Sequence, residues 1–245
     1  MGVQFFVILS LAVLFAGISK GGFGGGVAFV SSAILAIILP PTMAVGIMLP
    51  LLMVMDVACV GPFWKRWDVQ ASWALILGGI PGVVAGAVFI SYTNDDVLRF
   101  LIGLISVGFV VWSLLPKSAV AARRFSRRVG YGAGFVSGFT SFVSHAGGPP
   151  AAIYMLGQKF DKTTYHATAV VVFWVINAIK AVPYGFLGFF TWETLKLDLY
   201  MTPFALIGVY IGVKAHHMVS DRLFFGLTYA LLAATGVKLI WDSLT

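Results

Sequence analysis

Gly17-Ile18-Ser19-Lys20-Gly21-Gly22-Phe23-Gly24-Gly25-Gly26 interrupts one apolar run of the chain. Gly138-Phe139-Thr140-Ser141-Phe142-Val143-Ser144-His145-Ala146-Gly147-Gly148-Pro149-Pro150 interrupts another. In a sequence this apolar, irregular backbone cannot face lipid, because unpaired N–H and C=O groups there cost several kcal/mol each. Such breaks persist where they line a cavity or a buried polar site. They fall at matching places in the two halves of the chain, which is how transporter substrate sites announce themselves in sequence.

The surrounding composition sets the class. Hydrophobic residues make up 60% of the 245, charged residues 10%, and the mean hydropathy is +0.97. Soluble domains carry roughly 25% charged residues. Several apolar runs of about 20 residues are each long enough to cross a bilayer, so the chain reads as an all-α polytopic membrane protein. The N-terminus lacks a basic n-region and a small-residue cleavage site, so it does not read as a secretory signal. Phe6 stands where a myristoylation site needs Ser or Thr. Cys59 is the single cysteine, which excludes an intrachain disulfide and argues against a cysteine-built metal cluster. The net charge of +7 lies in short loops between spans, where it sets topology; nothing suggests a nucleic-acid partner.

The chain repeats itself. At a shift of 121 residues Gly17 meets Gly138, Gly26 meets Gly147, Thr42 meets Thr163 and Pro62 meets Pro183; at 122, Pro81 meets Pro203 and Gly86 meets Gly208. At 125, Leu98 and Phe100 meet Leu223 and Phe225. A slowly growing offset with glycine and proline anchors is the mark of an internal duplication. The expected division is a first membrane repeat at 1–115, a basic linker at 116–129 and a second repeat at 130–245. Each repeat opens with a broken stretch (3–38 and 130–157), followed by three spans: about 42–62, 70–91 and 97–115, then 164–185, 199–216 and 222–241. As one helix, 3–38 would run ~54 Å, too long for a ~30 Å core. Split at the glycines it gives two pieces of about 15 residues, and the expectation is a helical hairpin in each half whose tip lies within the membrane or whose arms barely cross it.

Sidedness follows from the basic loops. With the linker cytoplasmic, Lys65, Arg66, Lys159, Lys162, Lys214 and Arg222 fall on the same side, whereas Asp95, Asp96, Glu193 and Asp198 fall in loops on the other. Each half then crosses an odd number of times, and the halves become inverted repeats.

Few ionisable groups lie at membrane depth, where each is expensive and suggests function. Ser19 and Lys20 sit in the first break. Asp56 sits in the span that follows, opposite Asn177 under the 121 shift, and Lys180 shares a helical face with Asn177. His145 lies in the second break and His166 one turn into the next span. Lys20 and Lys180 admit two readings, a cation for a substrate or a side chain snorkelling to the interface. Asp56 is either a counter-charge or an ion-coupling group, and His145 either a substrate contact or a helix cap. His216-His217 read as a solvated pair, without carboxylate or cysteine at metal-ligand spacing. Half-helices starting near 24 and 146 would point free N–H groups and positive dipole ends at the membrane middle. Glycine would let a ligand approach the backbone, and Ser19, Thr140, Ser141 and Ser144 would add hydroxyl donors. Donors and cations outnumber carboxylates, which points to an anion.

These glycine stretches resemble the TauE/SafE family of membrane transporters, also described as sulfite exporters, over nearly the whole chain. The family's glycine motifs fall on Gly17, Gly21, Gly24, Gly25 and Gly26, and on Gly138, Gly147 and Gly148. The second copy departs from the first, with Phe142 and Ala146 where glycines are expected and His145 among them. The resemblance implies movement of sulfite, sulfonates and related sulfur anions, largely outward across the bacterial inner membrane.

The combined expectation is a secondary transporter or uniporter for a small sulfur-containing anion; a channel, or an importer of an anion such as thiosulfate, is the alternative. No nucleophile–base pair or metal-ligand set speaks for an enzyme, and no cofactor is called for. Expected substrate contacts are Ser19, Lys20, Gly21, Gly24, Gly25, Gly26, Thr140, Ser141, Ser144, His145, Gly147, Gly148, Asn177 and Lys180. Asp56 is expected to serve ion coupling or counter-charge. The expected partners are the small anion and the lipid bilayer, and a homodimer is compatible with the sequence.

Overall fold

The structure, a computed structural model, describes residues 2–23, 28–115, 125–215 and 221–245. Among them are ten helices and no strand: α1 (Val3–Gly22), α2 (Phe29–Ile38), α3 (Pro41–Val60), α4 (Val69–Ser91), α5 (Asp95–Leu114), α6 (Arg127–Ser144), α7 (Gly148–Leu156), α8 (Lys162–Phe186), α9 (Trp192–Ala215) and α10 (Asp221–Leu244). Six of these, α1, α3, α4, α5, α8 and α9, are long and apolar enough to cross a membrane. The expected all-α polytopic architecture is present. Gly24, Gly25, Gly26, His216, His217 and most of the basic linker lie outside the described residues.

Short polar caps start the long helices. Asp68 accepts from Ala71 N–H at 2.7 Å, Asn94 from Val97 N–H at 3.0 Å, and Asp161 from Thr163 and Thr164 N–H at 2.9 and 3.0 Å. Thr191 and Thr194 cap each other at the start of α9: Thr194 N–H donates to Thr191 Oγ1 (3.1 Å), and Thr191 N–H to Thr194 Oγ1 (2.9 Å). This reciprocal cap begins α9 seven residues before the expected 199. Asp198, expected in a loop, is therefore inside a helix and buried.

The broken stretches are unequal hairpins rather than pairs of 15-residue arms. α1 has 20 residues and α2 has 10; α6 has 18 and α7 has 9. At ~1.5 Å per residue one arm is near span length and the other half that. The first glycines of each motif stay helical because they serve packing. A Cβ on Gly17 would lie 2.6 Å from Ala205 O and 2.9 Å from Gly208 Cα, and one on Gly208 would lie 2.5 Å from Leu14 O. Gly21 faces the Val209 backbone in the same seam. α6 lies against α4 in the same manner, with Gly134 on the Leu75 backbone and Gly138 on that of Gly79. Small residues let these helix pairs approach to backbone contact. The two seams, α1 on α9 and α6 on α4, join helices exchanged by the 121–122 shift.

α3 and α8 lie against each other at the centre. One face of α3 (Ile47, Met48, Leu51, Met55) belongs to a core shared with α1, α2 and α9, while Val45 and Leu49 join a second core formed with α4, α6, α7 and α8. The site lies where these two bodies meet.

Candidate functional site

A continuous chain of buried polar side chains crosses that junction. Lys20 Nζ, near the end of α1, is paired with Asp56 Oδ1 of α3. Asp56 Oδ2 accepts from Asn177 Nδ2 of α8 at 2.7 Å. Lys180 Nζ, one turn further along α8, reaches Asn177 Oδ1 at 3.2 Å, Ser141 Oγ at 3.1 Å and His145 Nδ1 at 2.8 Å. His145 Nε2 lies 3.0 Å from the Val45 carbonyl of α3. Asp56 and Lys180 are fully buried, and the most exposed member, His145, is 8% exposed. In so apolar a setting, satisfied partners are what keep such groups in place.

The network assigns its own hydrogens. The Val45 carbonyl only accepts, so His145 Nε2 carries the proton and Nδ1 accepts from Lys180; the ring is the neutral tautomer. The three acceptors around Lys180 match the three N–H donors of an ammonium, leaving none over. Lys20 differs. Among the described residues its hydrogen-bonding partner is Asp56, with the Phe173 ring 5.8 Å away, so two of its three N–H donors are unused by the described residues. The hydroxyl beside it, Ser19 Oγ, is buried and has no hydrogen-bond partner among the described residues.

The internal repeat places the charges unequally. Under the 121 shift Asp56 matches Asn177 and Lys20 matches Ser141, while Lys180 matches Cys59. One half thus carries its cation on the broken arm, the other on the long helix behind it. The two cations flank the central Asp56–Asn177 pair.

The second break is locked by its own hydroxyls. Ser137 Oγ donates to Gly147 O at 2.6 Å, and Thr140 Oγ1 to Ala146 O at 2.9 Å. His145 takes a left-handed conformation (φ 58°) at the end of α6, which turns its ring toward Lys180 and Val45. The residue therefore caps the helix that precedes it, not the one that follows, and is at the same time a member of the network. Ser144 Oγ donates back to Thr140 O and stands outside the network. A Cβ on Gly147 would lie 2.8 Å from Ser137 O, and Gly148 opens α7. Pro149 and Pro150 follow at once, removing two of the first-turn N–H groups. The α7 terminus is a poor anion cradle for that reason; α2 is described from Phe29, and the expected start near 24 lies outside the described residues. Thr140 and Ala146 instead face a cleft of about 160 Å³ against Ile105, Phe109 and Trp112 of α5.

Lys20, Asp56, Ser141, His145, Asn177 and Lys180 are thus gathered at one place, while Ser19 precedes Lys20 on α1 with its hydroxyl buried and outside these contacts. Gly21 lies in the α1–α9 seam, and Thr140, Ser144 and Gly147 hold the second break. His166 stands apart, its ring 4.2 Å from that of Phe63. The sequence reading missed the Val45 carbonyl, Ser137 and Tyr184. Tyr184 is fully buried one turn beyond Lys180; its hydroxyl donates to Phe142 O, and its ring packs on Phe142 and Phe189. A signal for it existed: Pro62-Phe63 and Pro183-Tyr184 match under the 121 shift.

A model of the family described as sulfite exporter TauE/SafE matches residues 9–239. The chain belongs to the TauE/SafE family. The match runs from α1 into the last turns of α10, so both breaks and every residue of the polar network lie within it. Members of this family are membrane transporters, and the family implies a sulfur-anion exporter. No curated protein and no solved structure matches the chain.

Proposed function

We propose that this TauE/SafE protein is a secondary transporter or uniporter that carries a small sulfur anion, sulfite or an organosulfonate, outward across the bacterial inner membrane. The observation that carries the reading is the buried Lys20–Asp56–Asn177–Lys180–His145 network. Two lysines against one carboxylate give it a formal excess of one positive charge, which a monoanion would neutralise.

The two lysines have different tasks. Lys180 holds the second break to α8 through Ser141 and His145, with all three donors engaged. Lys20 is the anion's cation. Asp56 is an internal stand-in that occupies Lys20 while the site is empty, and the arriving anion takes over that ammonium with Ser19 Oγ as a second donor. Asp56 then retains Asn177. A sulfonate or sulfite oxygen accepts several hydrogen bonds at once, which suits an ammonium with donors to spare. Burial of the whole network favours a carrier, whose site is closed in at least one state, over a permanently open channel.

Inverted topology of the repeats completes the reading. The two glycine seams join repeat-exchanged helices, as a two-fold relation between the halves requires. With the inside negative, each unit of negative charge leaving gains about 2.3 kcal/mol per 100 mV, so export needs no coupled ion. The test is efflux from reconstituted vesicles loaded with sulfite, sulfoacetate, taurine, thiosulfate or chloride, with and without an imposed potential. Saturable, potential-accelerated efflux of a sulfur anion supports the proposal, unsaturable conductance makes the protein a channel, and no movement of any sulfur anion refutes it.

A further inference from the structure

Asp198 is a buried carboxyl outside the network. It is 6% exposed, and neither of its oxygens has a hydrogen-bond partner among the described residues. It belongs to the stripe of α9 that packs on α1: Asp198, Met201, Ala205, Gly208 and Gly212 recur at three- and four-residue spacing, and all are buried. The neighbouring contact fixes its level, since Ser10 Oγ of α1 points to Met201 Sδ at 3.6 Å. Counted along the helices, Asp198 lies roughly 20 Å from Lys20.

No cation faces it. The helices packed along α9 are α1 and α3. The ionisable residues of α1 and α3 are Lys20, Asp56 and Cys59; the first two bind each other, and all three lie at the far end. On α9 itself, Lys196 turns back over the Trp192 ring at 5.5 Å, Lys214 lies over Tyr210 at 4.5 Å, and Glu193 is exposed in the first turn. Tyr200 and Tyr210 face outward. An ionised carboxylate without a counter-charge is among the costliest groups to bury, and a bound proton removes that cost without needing a partner side chain.

We infer that Asp198 is a proton-binding site set in the α1–α9 seam. The proton is bound when the seam is closed, as here, and leaves to water when the Trp192 end of the seam opens. The binding step is the formation of one O–H bond on the carboxylate, and release reverses it. α1 carries Lys20, so opening the seam links proton release at Asp198 to the anion's cation. That linkage rests on the transport reading above; proton binding itself does not.

Two measurements separate the parts. Infrared difference spectra of the purified full chain, taken across a pH titration, should contain a protonated-carboxyl C=O band that disappears in Asp198→Asn. Because Asn is a neutral isostere of the protonated acid, Asp198→Asn should fold and unfold as the wild type does. An unchanged band, or marked destabilisation of Asp198→Asn, would overturn the proton site whatever the protein transports. In vesicles that do move a sulfur anion, Asp198→Asn should keep transport but lose its dependence on the pH of the compartment facing the Trp192 end. An unaltered pH profile would overturn the linkage.

Discussion

Replacing Lys20 with Met removes one partner of a buried ion pair and leaves the Asp56 carboxylate with a single donor, Asn177 Nδ2 at 2.7 Å. Asp56 is fully buried, so little water reaches the abandoned charge. Breaking such a pair from one side costs about 3–5 kcal/mol. Replacing both partners with apolar groups of similar volume is close to neutral. Lys20→Met/Asp56→Leu should therefore regain most of what Lys20→Met loses, with a coupling energy of at least about 3 kcal/mol. The assay is equilibrium unfolding in detergent, followed by tryptophan fluorescence, on the wild type, both single variants and the double variant. The double variant should be folded and stable yet unable to transport, which separates the ion pair's structural role from its role toward substrate. Purely additive effects of the two substitutions would refute the pairing.

Other positions separate packing from function. Gly17→Val pushes a branched side chain into the α9 backbone and Gly147→Val one onto the Ser137 carbonyl at the break, so both should lower the yield of folded protein in detergent, whereas Gly132→Ala, with open space around its Cβ, should leave it unchanged. Tyr184→Phe removes the hydroxyl donor to Phe142 O; unfolding measurements should find a loss of about 1 kcal/mol. The exposed Asp161 carboxyl is held below the usual carboxylate range by the Thr164 hydroxyl first and then by the backbone N–H groups of Thr164 and Thr163. Its contribution to the α8 cap is present above the ordinary carboxylate pKa and lost as pH falls through the lowered one. Asp161→Ala should therefore flatten the acid limb of a pH–stability profile. A reporter fused at the C-terminus should be active outside the cytoplasm, and cytoplasmic activity alone would overturn the inverted arrangement.

Much of this architecture is legible because the bilayer restricts what a sequence can do. Apolar length alone located the helices, and the cost of bare backbone located the breaks. The boundaries that differ do so for local reasons. Hydropathy is blind to the Thr191–Thr194 cap, so the first seven residues of α9, Asp198 among them, read as a loop. A glycine reads the same whether it admits a ligand or a neighbouring helix, which is why Gly17 and Gly21 proved to be seam residues. Pro149 and Pro150 stood in plain view, yet the missing donors matter only once α7 is known to begin at Gly148. In the site, polar groups at depth were the guide: Lys20, Asp56 and His145 converge, from three separate stretches of sequence, on Asn177 and Lys180 of α8. The Val45 carbonyl could not be read, since any buried backbone group might have served.

The division of labour between the lysines is tested most directly by the apparent affinity of the transported anion in counterflow. Vesicles reconstituted with wild type or Lys20→Ala would be loaded with unlabelled sulfur anion and given labelled anion outside. The account predicts saturable, trans-stimulated uptake by the wild type and an apparent constant at least about tenfold higher for Lys20→Ala, equivalent to ~1.4 kcal/mol of lost binding. Lys20→Arg should keep part of it, because the charge survives in a larger, planar group. Wild-type affinity in Lys20→Ala would contradict the account and move the anion to the His145–Pro150 hairpin.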